Sequence, residues 1–145
     1  MPTSHAEDAR GASVVSDDLR AYLAEPRYAA ISTLDADGGP FQAIVWYLPT
    51  DDGLVINSRR ERHWPRNLLR DPRISLAVQD WDDPDHWVGL SGTAEFLHDG
   101  DPAYEDIAAM ARRYGGEPEK YRGQDRVSYR VRIERVFEYG RGEIP

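Results

Sequence analysis

The sequence contains no cysteine, which excludes disulfide bonds, thiolate metal sites and a cysteine nucleophile. It also lacks any apolar run near the roughly 18 residues that a membrane-spanning helix needs, and its first residues show no signal-peptide core. We therefore expect a cytoplasmic protein with no membrane partner. We expect residues 1–13 to form a disordered or loosely attached tail and residues 14–145 to form a single domain, because this length suits one hydrophobic core.

Lysine is nearly absent, since Lys120 stands beside 17 arginines. The 26 acidic residues give a net charge of −8, and an acidic chain is a poor general binder of nucleic acids, so we expect no nucleic-acid partner. Basic residues are nevertheless concentrated in one segment of fifteen residues, where six arginines occur: Arg59, Arg60, Arg62, Arg66, Arg70 and Arg73. Guanidinium groups suit phosphates and carboxylates, although these arginines could equally form solvated pairs with the acidic surface.

Motifs for side-chain catalysis are also missing. The four histidines, His5, His63, His86 and His98, are not spaced as paired metal ligands are. The sequence has no glycine-rich nucleotide loop and no G-x-S-x-G nucleophile elbow. We therefore predict no metal site and no catalytic side chain. If the chain is an enzyme, a bound cofactor carries the reaction.

Hydrophobic periodicity predicts six strands and three short helices. The strands cover residues 28–34, 41–48, 54–58, 73–79, 87–97 and a last strand from residue 127. Tight turns join the first three, which favours an antiparallel meander. Val136 and Phe137 break the alternation of the last strand, which predicts a β-bulge near Glu134. The pattern as a whole indicates a mainly β fold, an antiparallel barrel with helices between strands.

Helix boundaries are marked by residues with capping or helix-breaking chemistry. Ser16 suits an N-cap and is followed by two aspartates, and Pro26 ends the first helix. The second helix is predicted to begin at residue 62 or 63, because a proline at position 65 is tolerable only in the first turn. A third helix opens at Asp101–Pro102 and closes at Gly115–Gly116.

Several short motifs resemble the pyridoxamine 5′-phosphate oxidase-like, split β-barrel superfamily. They are AISTL at 30–34, DGGP at 37–40, VWY at 45–47, NS at 57–58, the N-L-x-x-D-P-R run at 67–73, GTAE at 92–95 and the closing strand at 130–140. The run at 67–73 is the most specific, and its segment resembles the branch that uses the deazaflavin coenzyme F420. The resemblance covers roughly residues 16–141. It implies a six-stranded antiparallel split β-barrel of the FMN-binding type, and a homodimer with cofactor sites at the interface.

The same resemblance implies which side chains contact the cofactor. The residues expected at the ribityl–phosphate tail end the third strand and begin the following helix, whose positive end favours a phosphate: Asn57, Ser58, Arg62, His63, Trp64 and Asn67. The residues expected beside the flat ring lie on the second strand: Gln42, Val45 and Trp46. Two positions depart from the family pattern. Family members often have lysine where this chain has Trp64, and many have proline, serine or asparagine where it has Ile44.

The function that follows is that of an F420-dependent oxidoreductase, which transfers a hydride between reduced deazaflavin and a small unsaturated organic acceptor. Two alternatives remain open. One is an FMN-dependent oxidase or reductase on the same fold. The other is a non-catalytic protein that binds flavin, deazaflavin or haem. Pyridoxamine phosphate oxidase activity itself is not expected, because the substrate-binding stretch typical of that enzyme does not follow the last strand.

Overall fold

The computed structural model describes residues 14–140, which contain seven strands and three α-helices. The helices are α1 Asp17–Ala24, α2 His63–Arg70 and α3 Gly100–Tyr114, followed by a short 3₁₀ helix Pro118–Tyr121. The strands are β1 Ala29–Leu34, β2 Pro40–Val45, β3 Leu48–Pro49, β4 Gly53–Arg59, β5 Arg73–Gln79, β6 Trp87–Asp99 and β7 Arg126–Tyr139. The mainly β prediction is confirmed. The tail predicted at residues 1–13 lies outside the described residues.

The helices begin and end at the predicted residues. The Ser16 side chain accepts a hydrogen bond from the backbone N–H of Leu19 at 3.1 Å, which caps α1. Helix α2 begins at His63, so its proline lies in the first turn. Helix α3 ends at Gly115, whose φ of 80° is the left-handed conformation that glycine adopts readily. None of the helices in residues 14–140 is long and apolar enough to cross a membrane.

The seven strands form one antiparallel sheet in the order β2-β1-β5-β6-β7-β4-β3. The predicted count of six strands is wrong, because the segment expected as one strand at 41–48 is divided into β2 and β3. The predicted three-strand meander is wrong for the same reason. Strand β2 pairs with β1 at one edge of the sheet, whereas β3 pairs with β4 at the other edge.

Trp46 and Tyr47 carry the chain from one edge of the sheet to the other. Three peptide units separate Val45 from Leu48, so their Cα atoms lie at most about 11 Å apart. The sheet therefore curls back on itself, and its two edges face each other across a split. Tyr47 is fully buried at the crossing, where its hydroxyl donates to the carbonyl oxygens of Leu23 and Glu25 at 3.0 and 3.1 Å.

The hydrophobic core fills the inside of the curled sheet. Inward side chains alternate with outward ones along β1 and β5, and helices α1 and α2 add apolar side chains to the same core: Leu19, Leu23, Ile31, Trp64, Leu68, Leu76 and Val78. Helix α2 is held against the strands by the hydroxyl of Tyr129, which donates to the carbonyl oxygen of Pro65 at 3.0 Å. The core thus fixes where α2 begins, beside the end of β4.

The predicted bulge near Glu134 is confirmed. Ser91 pairs with Arg135 and Gly92 with Ile133, so Glu134 has no partner on β6. Strands β6 and β7 approach closely beside this extra residue. A Cβ atom on Gly92 would lie 1.9 Å from the carbonyl oxygen of Arg132, so only glycine fits there.

Candidate functional site

A cleft of about 270 Å³ opens beside the chain crossing, between the end of β2 and the end of β4. Helix α3, the 3₁₀ helix and the first residue of β7 complete its walls. The lining residues are Ile44, Val45, Trp46, Asn57, Ser58, Arg62, Trp64, Ile107, Met110, Tyr121 and Arg126. Six of the nine residues predicted to contact a cofactor are among them: Val45, Trp46, Asn57, Ser58, Arg62 and Trp64.

Two arginines, Arg62 and Arg126, line one end of this cleft, and a third, Arg59, lies beside Arg126. The register of β4 and β7 sets Arg59 directly opposite Arg126, and Arg62 lies in the turn that leads from β4 into α2. Like charges directly opposite each other in a sheet are destabilising. An anion between these side chains would remove that repulsion.

Arg126 is the most buried of the three, with 9% of its surface exposed. Its Nε donates to Asn57 Oδ1 at 2.9 Å and its Nη1 donates to Gln124 Oε1 at 2.8 Å, and both acceptors are neutral amides. Burial, which has the largest effect, and the positive charges of Arg62 and Arg59 together lower the pKa of Arg126 to about 10. Arg126 is therefore charged at neutral pH, and neither of its amide partners carries a negative charge to balance it.

The positive charge of the cluster is only partly balanced by the protein. In residues 14–140, Glu61 lies within ion-pair distance of Arg59, with 3.6 Å between its Oε2 and the arginine Nε. The same Nε is buried without a hydrogen-bond partner. Buried donors are usually satisfied, so an unpaired one beside two further guanidinium groups fits a ligand that brings acceptor oxygens. A phosphate or carboxylate has the required charge and geometry.

The N-terminus of α2 adds to the positive end of the cleft. Arg62 is its N-cap residue, and its side chain makes no capping hydrogen bond. The N–H groups of the first turn therefore add partial positive charge to that of the arginines. Trp64 follows in this turn and is buried, with its ring edge-on to Tyr129 at 6.0 Å between centroids. Trp64 thus anchors the helix to the core and forms part of the cleft floor.

The opposite end of the cleft is flat and apolar. Ile44, 69% exposed, lines both the cleft and a wider groove of about 540 Å³ on the outer face of the sheet. The other residues of that groove are Tyr28, Ala30, Ala77, Gln79, Trp81 and Trp87. Within the cleft, Trp46 stacks on Tyr114 with 5.1 Å between centroids and 5° between ring planes. The arrangement suits an elongated molecule with an anionic tail and a flat ring.

The chain matches the family model for pyridoxamine 5′-phosphate oxidase over residues 15–140. It belongs to the pyridoxamine 5′-phosphate oxidase family. Curated relatives include the pyridoxine/pyridoxamine 5′-phosphate oxidases of two Vibrio vulnificus strains, YJ016 and CMCP6, each 30% identical over 141 residues. The alignment covers 88% of this chain and 62% of each enzyme, so the chain spans less than two thirds of their length.

Solved structures with the same fold differ in the cofactor that their descriptions name. An F420 reductase superposes with a TM-score of 0.72 at 25% identity, covering 81% of this chain and 94% of that one. A haem-binding protein from Mycobacterium smegmatis superposes with a TM-score of 0.67 at 27% identity, covering 87% of this chain and 54% of that one. The superfamily resemblance inferred from the sequence is confirmed, and one relative is linked by name to F420.

In this family member, three of the nine predicted cofactor residues lie away from the cleft. Gln42 is exposed on β2. The ring of His63 lies with Nε2 2.6 Å from Asp35 Oδ1, and Asn67 is buried, where its Nδ2 donates to Thr33 Oγ1 and Asp35 Oδ1 at 3.0 Å each. These hydrogen bonds hold the pKa of Asp35 below its usual range, that from Asn67 contributing most. The side chains tie α2 to the β1–β2 turn, and their contact with a cofactor stays a prediction.

Sequence reasoning missed Arg126, which combines charge, burial and a position opposite Arg59. It also missed Ile107, Met110 and Tyr121, which wall the cleft from α3 and the 3₁₀ helix. Ile107 and Met110 lie on the apolar face by which the sequence predicts α3. An apolar face alone, however, predicts only packing against the core. Within residues 14–140, no group of three or more histidine, aspartate or glutamate side chains is arranged to hold a metal ion.

Proposed function

We propose that the cleft holds the phosphate-bearing tail of coenzyme F420 and that the protein transfers a hydride between the reduced coenzyme and a small unsaturated organic acceptor. The observation that carries the proposal is that Arg62 and Arg126 line one end of a cleft with an apolar far end, while Arg59 stands directly opposite Arg126. Membership of an oxidase family and likeness to an F420 reductase support an oxidoreductase.

The residues present fit such a cofactor. Arg126 and Arg62 would bind phosphate oxygens, and the first turn of α2 would add backbone N–H groups. Val45 and Ile44 would support a flat ring along the edge of β2. When bound, reduced F420 would supply a hydride, which carries both electrons of the reduction. The protein's own contribution is to orient the two reactants and exclude water.

The length of the positively charged surface favours F420 over FMN. FMN ends at its phosphate, whereas the tail of F420 continues into a lactyl group and several glutamates. Arg66 and Arg70 follow Arg62 at four-residue spacing along α2 and line a second opening of about 470 Å³, which Asp35 and Asp37 also line. The two carboxylates offset part of the positive charge, so it is the spacing of the three arginines that suits a ligand with several anionic groups. Each exposed contact contributes only about 0.2–1 kcal/mol, so several are needed.

A second copy of the chain is part of this proposal. On the outer face of the sheet, five residues are lateral neighbours on successive strands: Ile44, Ala30, Ala77, Gly89 and Phe137. The middle three are small, and the end residues are 69% and 53% exposed. A flat apolar row of this kind suits face-to-face packing of two sheets. The partner would close the open groove and exclude water from the ring.

A haem-binding role has one observation in its favour, the likeness to a haem-binding protein at 27% identity. The residues that line the cleft include no histidine or cysteine, which are usual axial ligands of haem iron. We therefore rank it below the redox role. FMN remains the alternative cofactor for an oxidase or reductase of this family.

The test is a comparison of ligands followed by a turnover assay. The purified protein is titrated with F420, FMN and haem, and binding is followed by fluorescence or absorbance. We expect F420 to bind most tightly. Reduced F420 should then be oxidised in the presence of unsaturated acceptors such as enones and quinones, which is measured from its absorbance. Tighter binding of FMN would replace F420 in the proposal, and tightest binding of haem without turnover would overturn the enzyme assignment.

A further inference from the structure

A chain of side-chain hydrogen bonds runs from the cleft to the far side of β7. Arg126 Nε donates to Asn57 Oδ1 at 2.9 Å, and Asn57 Nδ2 donates to Ser128 Oγ at 2.8 Å. Ser128 Oγ donates in turn to Asp106 Oδ2 at 2.7 Å. The same carboxylate oxygen lies 2.6 Å from His98 Nε2. Four elements of the fold are thus joined: β4, β6, α3 and β7.

The inner members of this chain are shielded from water. Asn57 and Arg126 are buried, and Ser128 is completely so. Asp106 and His98 at its outer end are partly exposed. Hydrogen bonds in a buried environment are electrostatically stronger than in water, and a missing partner there costs more. The inner part therefore has one favourable arrangement.

The direction of each hydrogen bond is determined by its neighbours. Asn57 Nδ2 also donates to the carbonyl oxygen of Ala103 at 2.9 Å. Turning the Asn57 amide over would set its oxygen against that carbonyl oxygen and its NH₂ group against the Nε–H of Arg126. Ser128 has one proton, which goes to the Asp106 carboxylate, and this leaves its oxygen free to accept from Asn57. The Ala103 carbonyl oxygen and the Ser128–Asp106 pair thus together decide which amide atom faces Arg126.

We infer that Asn57, Ser128 and Asp106 form a positioning network that holds the Arg126 guanidinium in place to bind an anion in the cleft. This inference rests on the proposed function, since it assumes that the cleft binds the phosphate of a cofactor. None of the three side chains needs to touch that ligand. Their effect on affinity passes through Arg126, because Asn57 is the group that holds its Nε.

The test is a double-mutant cycle read by the affinity for coenzyme F420. Ser128→Ala removes the link between Asn57 and the carboxylate and should weaken binding roughly tenfold, as expected for a lost hydrogen bond beside a charge. In an Arg126→Met background, Ser128→Ala should cause no further loss. An equal loss in both backgrounds, or a loss below twofold with Arg126 present, would overturn the network. Asp106→Asn is the second variant and should weaken binding in the same way.

A control is Tyr22→Phe, which removes another hydroxyl that makes an interior hydrogen bond, to the carbonyl oxygen of Val78 at 2.8 Å. Neither residue lines the cleft, so this variant should leave the affinity for F420 unchanged. A readout that needs no ligand is the ¹⁵N NMR signal of the Arg126 Nε–H. Its protection from exchange should fall in Ser128→Ala and remain in Tyr22→Phe, and retained protection in both would overturn the network. If the wild-type protein does not bind F420, the proposed function fails, and the NMR result still decides whether the network orients Arg126.

Discussion

Replacing Arg126 with methionine should weaken anion binding at little cost in folding stability. Methionine keeps the length and apolar stem of the side chain but removes its charge and its donors. Arg126 faces Arg59 across the β4–β7 pair and has neutral amide partners. Because neither partner is charged, the replacement leaves no buried charge without its counter-ion.

The magnitude follows from two opposing terms. The two amide hydrogen bonds of Arg126 stabilise the folded state by about 2 kcal/mol together. Against this, burial lowers the pKa of Arg126 to about 10, which corresponds to a cost of roughly 3 kcal/mol at most, or about 1–2 kcal/mol after solvent screening. Because the folded-state pKa is below the unfolded value, this cost is present at neutral pH and fades only as pH rises above about 10. The net change in unfolding free energy should be within about 1 kcal/mol.

The assay is urea denaturation of the free protein, together with a titration with F420. We expect Arg126→Met to weaken binding between roughly tenfold and a hundredfold, the range for one charge-assisted contact to phosphate. The matched control is Arg113→Met, whose guanidinium donates to the last carbonyl groups of α1 at Leu23, Ala24 and Glu25. That variant should lose about 2 kcal/mol or more of unfolding free energy, whereas its affinity for F420 should be unchanged. A loss above about 3 kcal/mol in Arg126→Met, with unchanged affinity, would refute a ligand-binding role.

Three further variants test other parts of the structure. Arg62→Ala should weaken F420 binding in titrations, more strongly at low salt than at high salt. The control Arg20→Ala on α1 should have no effect. A loss of affinity that does not depend on salt would contradict a role of charge attraction. Ile44→Asp places a charge in the apolar row, so sedimentation should detect monomers and titration should detect no cofactor binding. A monomer that binds as tightly as wild type would refute a site shared between two copies. Gly92→Ala should cost more than about 3 kcal/mol in denaturation, because its Cβ would meet the Arg132 carbonyl oxygen; near-native stability would show that the strands can separate there.

Local chemistry was sufficient to predict most of the elements. The Ser16 cap, the proline in the first turn of α2 and the phase change at Glu134 each depend on residues within a few positions of one another. A single sequence is enough to predict these features, because the interacting residues are close together along the chain. The predicted strand at 73–79 coincides with β5 for the same reason, since its apolar residues alternate regularly.

Long-range pairing could not be predicted in this way. Nothing in residues 41–48 signals that Val45 and Leu48 belong to opposite edges of the sheet, because both halves of the segment have strand composition. Arg126 was missed for a related reason. It is one of 17 arginines, and what distinguishes it is Arg59 on a strand almost seventy residues earlier. The resemblance of short motifs pointed to the end of β4 and the start of α2. It gave no information about Arg126, because that residue comes from a distant strand, β7.

The position of β7 between β6 and β4 has a consequence for the protein while it is being made. Asn57 and Ser128, which pair across β4 and β7, are 71 residues apart. During synthesis, β4 leaves the ribosome long before its partner, and its open side stays unpaired in the meantime. The cleft therefore lacks Arg126 until β7 inserts between β6 and β4. Under the proposed function, a cofactor binds only after that insertion, so cofactor binding would report that β7 is in place.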